Sequence, residues 1–238
     1  MRFSLHPDLF ETFPGLVIAG VVARGIDNQT PHRTAMVRWE ERWREAAQHV
    51  DEFGNAQSHP RIIPWRERMR AAGAPPKKFP SSIEALLRRA SKGGEPFAIN
   101  PLVDTYNSVS LHHVVPAGGF DLDALPGDLE LRRSREGDRF TALGEETPLA
   151  VPAGEISYAA GSTILTRHFV WRQSGQGAIA PETRRVVLLS ELLGDVVRES
   201  PTLADDILAD FRAVLSDGFG VEAEPFMLDT SRLETSLD

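Results

Sequence analysis

The chain has 238 residues, of which 41% are hydrophobic and 25% are charged, as is ordinary for one globular domain. It contains no cysteine, which excludes disulfides, thiolate metal sites and a cysteine nucleophile. The formal net charge of −8 argues against broad nucleic-acid binding, and no DNA partner is expected. No long apolar run or signal-peptide core is visible, so we expect a cytoplasmic protein that does not enter a membrane.

The first third of the chain predicts one strand followed by helices. Alternating Val and Ile side chains predict a buried strand at 15–26. Amphipathic patterns predict helices at 33–53 and 62–73. A third helix is expected to begin with a capping box at 81–84, in which the Glu84 side chain reaches back to the Ser81 backbone, and to end at Gly93-Gly94.

A polar stripe marks the next predicted helix. It extends from residue 100 to Pro116, and we expect the chain then to turn at Ala117-Gly118-Gly119. Short polar side chains, which are poor fillers of a helix interior, alternate here with apolar ones at helical spacing. The stripe either lines a pocket or caps and braces neighbouring loops; its members are Asn100, Asp104, Asn107, Ser110 and the later Asp121.

The rest of the chain predicts mainly short strands separated by Gly, Pro and Asp turns. The predicted strands are 129–133, 139–141, 156–158, 164–165, 169–172, 184–193 and 221–228, with an acidic helix at 202–216. Helices come first and strands cluster later, which indicates an α+β fold. We expect one domain over residues 1–228 and a frayed tail at 229–238.

No standard catalytic signature is present: the chain has no P-loop, dinucleotide-binding glycine motif, HExxH or GxSxG. His112 and His113 are adjacent, and neighbours on a helix point about 100° apart, so we do not expect them to share a metal ion. We therefore predict no metal and no cofactor.

Three smaller features are open to two interpretations each. Gly118-Gly119 either lets a ligand approach the backbone or only redirects the chain. Asp121 and Asp123 either bind substrate or cap a short helix at 122–126, and for Asp123 we expect capping. Glu155 opens one strand and Arg167 lies on the next, so the two form either part of a pocket or a structural ion pair.

Charge is distributed unevenly along the chain. Residues 60–93 carry nine basic and two acidic side chains, whereas residues 190–238 carry three basic and twelve acidic ones. The basic segment either binds phosphate or balances another charged face or a second subunit. Its candidate RNA-binding residues are Arg66, Arg70, Lys77, Lys78, Arg88 and Arg89.

Four phrases carry a family resemblance. They are RIIPWRERMRAAGAPPKKFPSSIEALLRR at 61–89, INPLVDTYNSVSL at 99–111, PAGGFDLDALPGDLELR at 116–132 and GEISYA…LTRHFVWRQ at 154–173. In this order they resemble the B3/B4 domain, which edits mischarged tRNA within the beta subunit of phenylalanyl-tRNA synthetase. The free-standing B3/B4 proteins are more similar still.

The resemblance implies a layered sandwich of mostly antiparallel strands with helices on one side. It also implies a stand-alone deacylase of mischarged aminoacyl-tRNA or a related amino-acid ester. Asp104, Asn107 and Asp121 would then hold the aminoacyl group or water, and the amides of Gly118 and Gly119 would bind the oxyanion. The further substrate-binding candidates are Asn100, Tyr106, Ser110, Glu155 and Arg167.

Two positions depart from the family pattern. Tyr106 stands where the synthetase module has threonine, and Gly118 stands where it has the histidine of its P-L-H-A-F-D phrase. Both family positions contribute to the editing pocket, so the resemblance implies a kept scaffold with changed pocket chemistry. The alternative function is a non-catalytic domain that binds an amino acid, a small metabolite or a protein partner.

Overall fold

The computed structural model describes residues 1–93 and 95–238, and this part of the chain has an α+β fold. Gly94, where the third predicted helix was expected to end, lies outside the described residues. The α-helices are α1 (Leu9–Thr12), α2 (Arg33–Glu52), α3 (Ile63–Ala71), α4 (Ser82–Ala90), α5 (Pro101–His113), α6 (Gly194–Glu199) and α7 (Leu203–Phe219), with a 3₁₀ helix at Ala56–Ser58. None of the described helices is both long enough and apolar enough to cross a membrane.

The strands form two main sheets and a small hairpin. They are β1 (Arg2–Leu5), β2 (Val17–Arg24), β3 (Ala117–Asp121), β4 (Leu129–Arg133), β5 (Arg139–Phe140), β6 (Leu149–Ala150), β7 (Ile156–Ala160), β8 (Thr163–Ile164), β9 (Thr166–Arg167), β10 (Arg172–Gln173), β11 (Arg185–Leu192), β12 (Ala223–Leu228) and β13 (Glu234–Ser236). The orders are β13-β1-β4-β7-β8-β5-β6, β12-β2-β11-β3 and β10-β9. Most described pairings are antiparallel; β1–β4 and β5–β8 are parallel.

The layers follow from which faces are apolar. Phe3 on β1 lies 6.2 Å from Phe226 on β12, and Phe120 on β3 lies 5.4 Å from Tyr158 on β7, measured between ring centroids. The two sheets therefore pack face to face around the main core. Helices α5 and α7 pack on the four-stranded sheet, and α2 and α4 pack on α5, so these helices form one layer, as predicted.

Local sequence explains how the helices near the candidate site begin. The Asn100 side chain accepts a hydrogen bond of 3.0 Å from Val103 N, and Pro101 occupies the first turn of α5, where its missing N–H is harmless. Ser81 accepts from Glu84 N and caps α4 as predicted. The prediction of a reciprocal bond from the Glu84 side chain to the Ser81 backbone is wrong, because the Glu84 side chain binds Arg66 and Arg88 instead.

Three local predictions are wrong for reasons that lie outside the local sequence. Residues 117–121 form strand β3 rather than a turn, because β11 pairs with them throughout. Residues 122–126 form a turn rather than a helix, in which Asp121 accepts from Asp123 N at 2.9 Å. The tail is ordered rather than frayed, since β13 pairs with β1 and Leu237 is fully buried.

The predicted strand at 169–172 is also wrong. The chain reverses there between β9 and β10, so that Arg167 and Arg172 are direct cross-strand partners. His168 and Phe169 carry the reversal with φ of 48° and 61°, a left-handed conformation that is uncommon for residues other than glycine. The Glu155 carboxylate accepts a 2.7 Å hydrogen bond from His168 N and holds this turn.

Candidate active site

A cavity of about 80 Å³ opens beside the edge strand β3. One wall is residues 117–120, and the opposite wall is Thr166 with residues 169–173 of the β9–β10 hairpin. Phe120, Tyr158, Phe169 and Trp171 make the lining largely aromatic, and Glu191 supplies a carboxyl group. Apolar walls with a few converging polar groups are typical of small-molecule sites.

The two glycines of β3 serve different purposes. A Cβ atom added to Gly118 would meet nothing within 4 Å, so its absence leaves the cavity open. A Cβ atom on Gly119 would lie 2.6 Å from Leu188 Cδ2 and 2.9 Å from the Val187 carbonyl oxygen, so only glycine fits against β11 there. Gly118 thus shapes the site, whereas Gly119 permits the packing beneath it.

Strand alternation decides which glycine amide is free to contact a ligand. Asp121 N donates to Gly177 O at 3.0 Å, on the side away from β11. Because hydrogen-bonded and non-bonded pairs alternate in an antiparallel ladder, Gly119 also directs its N–H and C=O away from β11, and Gly118 bonds within the ladder. Gln173 Nε2 donates to Gly119 O at 3.0 Å, as this alternation requires. Of the two predicted oxyanion donors, the Gly119 amide therefore has the suitable direction.

A buried pair of Tyr158 and Glu191 lies at the cavity. The Tyr158 hydroxyl donates to Glu191 Oε1 at 2.7 Å, and the two residues are 2% and 5% exposed. Burial raises the pKa of Glu191 to about 7, against the smaller lowering effect of the hydrogen bond from Tyr158. Burial and the neighbouring carboxylate raise the pKa of Tyr158 well above its usual value. Near neutral pH, Glu191 can thus both take up and release a proton.

Sequence reasoning missed Glu191, although a signal was present. The segment Val186-Val187-Leu188-Leu189-Ser190-Glu191-Leu192 predicts a buried strand, and a carboxyl group in such a strand must be buried as well. A buried acid needs a partner or an altered pKa, and Glu191 has both.

Most of the predicted site residues on and after α5 brace the backbone. Asn100 caps α5, Asp104 accepts from Ile99 N at 3.1 Å, and Ser110 Oγ donates to Val115 O at 2.6 Å. Asp121 accepts from the Thr183 hydroxyl at 2.7 Å, and Asn107 is half-buried with no side-chain hydrogen bond among the described residues. The expectation that they border one cavity with Gly118 is wrong for these residues.

Tyr106 and the Glu155–Arg167 pair also lie outside this cavity. Tyr106 is buried in the main core, so its bulk does not narrow the cavity. Glu155 binds Arg167 through two hydrogen bonds of 2.7 and 2.8 Å, and the same carboxylate holds the His168 turn. This ion pair therefore positions the hairpin that forms one cavity wall. Burial raises the pKa of Asp104 to about 6, although this residue contacts no described cavity.

The predicted RNA-binding residues separate into two groups. Arg66 on α3 and Arg88 on α4 both bind Glu84 of α4, which is fully buried; Arg66 thereby links α3 to α4, and Arg88 is a second partner within α4. Arg89 lies over the Phe97 ring at 4.0 Å, and Lys78 lies 5.0 Å from the Phe79 ring. Arg70, Lys77, Lys78 and Arg89 are exposed and have no ion pair among the described residues. These four remain free to meet phosphate.

We expect the double substitution Arg66→Met and Arg88→Met to lower the free energy of unfolding by about 3–5 kcal/mol, because it strands a buried carboxylate. Urea unfolding at pH 7 measures this. The exposed control Arg70→Met is expected to change stability by less than about 0.5 kcal/mol. Adding Glu84→Leu to the double variant should restore most of the loss. Equal effects of the double variant and the control would contradict a structural role for Arg66 and Arg88.

His112 and His113 lie closer together than their spacing predicts. Their ring centroids are 4.6 Å apart, and ligand atoms from both rings and from Asp210 lie within 4.8 Å of one another. The geometric reason against a shared metal ion, that adjacent histidines on a helix point apart, is therefore wrong here, because the rings reach toward each other at the end of α5. Asp210 is also bonded to Arg38.

Comparisons with known proteins bear on the region that contains the cavity. The B3/4 domain matches residues 64–203, which include all of the cavity-lining residues. No curated protein matched the chain. Among solved structures, the chain is similar to an N-terminal fragment of the phenylalanyl-tRNA synthetase beta subunit from Pyrococcus horikoshii, with 10% identity and a TM-score of 0.43. That likeness covers 96% of this chain and 53% of the fragment, so the chain spans about half the length of the fragment. Because the B3/4 domain matches more than half of the residues of this chain, the chain belongs to the B3/4 domain family.

Proposed function

We propose that the protein hydrolyses aminoacyl esters carried on tRNA in the cytoplasm, with the cavity beside β3 as its active site. One observation carries the proposal: a buried carboxyl group with a pKa near 7 lies in an aromatic cavity beside an outward-facing backbone amide. A general base works best when its pKa is close to the operating pH. Backbone amides are common donors to the oxyanion of acyl-transfer reactions.

In this mechanism, ionised Glu191 takes a proton from a water molecule as the water oxygen bonds to the ester carbonyl carbon. The Gly119 amide donates to the oxyanion that forms. The carbon–oxygen bond to the ribose then breaks, and Glu191 returns its proton to the departing oxygen. The products are a free amino acid and a tRNA with a free hydroxyl group. Tyr158 positions the Glu191 carboxylate through its 2.7 Å hydrogen bond.

Cations near the cavity support tRNA as the carrier. Arg172 lines the cavity, is exposed, and has no ion pair among the described residues. Trp171, which also lines the cavity, contacts Phe79 at 4.7 Å, and Lys78 lies over the same Phe79 ring. Free cations beside aromatic rings suit a single-stranded nucleotide end, because the bases can stack on such rings.

The proposal is tested by a deacylation panel of mischarged tRNAs with the purified protein. We expect the best substrate to carry a small or medium-sized aminoacyl group, because the cavity is only about 80 Å³. Tyrosyl-tRNA should not be the best substrate. Absence of turnover across the whole panel would contradict the proposal. The alternative is a non-catalytic domain that binds an amino acid or a small metabolite. The low exposure of Glu191, 5%, favours this alternative, because it limits the access of water to the carboxyl group.

Binding of tRNA is expected to weaken steeply with salt, because phosphate contacts release counterions. The paired substitution Lys77→Glu and Lys78→Glu should weaken binding further and flatten the salt dependence. Fluorescence anisotropy between about 50 and 200 mM salt measures both effects, because four phosphate contacts weaken binding by roughly 10²-fold over that range. The control is Arg44→Glu at an exposed position on α2, where the substitution changes the charge as much as each of the two lysine substitutions does. Equal losses in the control would show a general charge effect rather than a site.

A further inference from the structure

We propose that a second cleft, between α2 and α7, binds a small phosphorylated or polyphosphate anion. The cleft has a volume of about 390 Å³ and lies in the helical layer, away from the cavity beside β3. Its lining residues include Arg33, Arg38 and Arg42 from α2 and Thr105 from α5. Three guanidinium groups in one concave site are suited to phosphate oxygens, which they bind through paired hydrogen bonds.

Two of these arginines have unused donors. Arg42 Nη1 donates to Glu45, but Arg42 Nε is buried with no hydrogen-bond partner among the described residues. Arg33 is exposed and forms no ion pair within the same residues. A buried guanidinium donor without an acceptor is costly, and a small turn of the Arg42 side chain would expose Nε to a ligand oxygen in the cleft.

Arg38 extends the positive charge toward α5 and α7. It donates to Ser108 Oγ at 3.2 Å and to Asp210, whose other carboxylate oxygen contacts His113 at 3.1 Å. Burial lowers the pKa of His112, and the charges of Arg42 and Arg38 lower it further. The two arginines therefore disfavour an added positive charge at His112, against the opposite effect of Asp210.

The same charges argue against a metal ion at the adjoining histidines. His112, His113 and Asp210 have three ligand atoms close together, but Arg38 already occupies Asp210. A divalent cation there would compete with the Arg38 guanidinium for Asp210. The cluster therefore anchors Arg38 through Asp210 and does not itself line the cleft.

The cleft also contains two carboxylates, which set the size of the ligand. Glu41 and Asp217 line it, and both are exposed. Among the lining side chains, these two carboxylates and the three arginines leave one net positive charge; Asp210 and Glu45, which do not line the cleft, pair with Arg38 and Arg42. An extended polyanion such as RNA would be repelled by this acidic rim, whereas a compact anion can sit among the arginines. Removing either carboxylate should therefore strengthen anion binding, an effect that damage to the fold cannot imitate.

The test is isothermal titration of the full chain with inorganic pyrophosphate at constant ionic strength. We expect saturable binding, weakened about tenfold or more by Arg42→Gln and by Arg33→Ala, because each removes a charged donor. The matched control Arg44→Ala, an exposed arginine on the same helix, should leave binding unchanged. Glu41→Gln should tighten binding about threefold through the loss of one nearby like charge.

Several results would overturn the proposal. These are absence of pyrophosphate binding at millimolar concentration, equal loss in Arg44→Ala, or weaker binding in Glu41→Gln. Zinc binding that is abolished by His112→Ala and unaffected by Arg42→Gln would assign the cluster to a metal instead. If deacylated tRNA displaces pyrophosphate, and Arg33→Ala abolishes this displacement, the cleft would be assigned to RNA.

Discussion

Replacing Glu191 with glutamine is expected to lower aminoacyl-ester hydrolysis by about 10²- to 10⁴-fold, the usual contribution of a general base. Glutamine keeps the size of the side chain and accepts the hydrogen bond from Tyr158 but takes no proton. The rate of the wild-type protein should rise with pH through about 7, where Glu191 ionises. The residual rate of the variant should lack this rise. A single-turnover pH profile between pH 5 and 9 measures both properties.

The same substitution should change how stability depends on pH. The folded state keeps the Glu191 proton up to about pH 7, whereas the unfolded chain releases it near 4.5. A raised pKa contributes stability that is fully present below 4.5 and is lost as pH rises through 7. The shift corresponds to about 3 kcal/mol. Urea unfolding should therefore show that Glu191→Gln gains stability relative to the wild type between pH 5 and pH 8.

Two further variants separate catalysis from folding. Tyr158→Phe removes the hydrogen bond that favours the ionised carboxylate, so the pH profile should move to higher pH. Asp104→Asn should leave the rate nearly unchanged, because Asp104 does not contact the cavity. A full rate in Glu191→Gln, or a large loss in Asp104→Asn, would contradict the assigned site.

Gly118→Val is expected to abolish ligand binding and turnover while leaving the fold intact. The new side chain would enter open space in the cavity, and a β-branched residue suits a strand. The Gly118 backbone bonds within the ladder, so the sheet is unaffected. The measurement combines deacylation with thermal unfolding, and we expect loss of activity without a fall in the melting temperature.

The neighbouring glycine provides the matched control. Gly119→Ala places Cβ against the backbone oxygen of Val187 at 2.9 Å, so we expect destabilisation of about 1–3 kcal/mol from overpacking. Its Cβ does not fill the cavity and its backbone N–H is kept, so the folded fraction should retain more activity than Gly118→Val. Full activity in Gly118→Val would contradict the cavity as the active site, and full stability in Gly119→Ala would contradict the close packing of Gly119 against β11.

Local sequence patterns were enough to predict the longer helices, α2, α3, α4, α5 and α7, and the long strands. Ala35, Trp39, Trp43, Ala46 and Val50 follow helical spacing, and they are the buried residues of α2. Strand β11 was predicted at 184–193 and is Arg185–Leu192, because a long apolar run between turn residues has few other structures. The α+β class followed from the order of such elements.

Pairing between strands that are far apart in sequence decided the features that local patterns could not predict. Residues 117–121 contain two glycines after a proline, which locally indicate a turn, yet β11 recruits them into the sheet. Strand β13 exists because β1, at the other end of the chain, supplies its partner. The reversal at His168 and Phe169 depends on the Glu155 carboxylate, since neither residue by itself favours a positive φ.

The candidate site was predictable only in part for the same reason. Gly118 and Gly119 were identified from the chain, because two consecutive glycines allow close approach to the backbone. Glu191 was not, because its chemistry comes from burial and from Tyr158, which is 33 residues away in sequence. The polar groups of α5 looked like a pocket wall, but their partners are the ends of neighbouring segments. Residue types thus determined which groups carry chemistry, and the packing of β3, β7 and β11 decided which of them meet at a cavity, because only packing sets their distances and removes water.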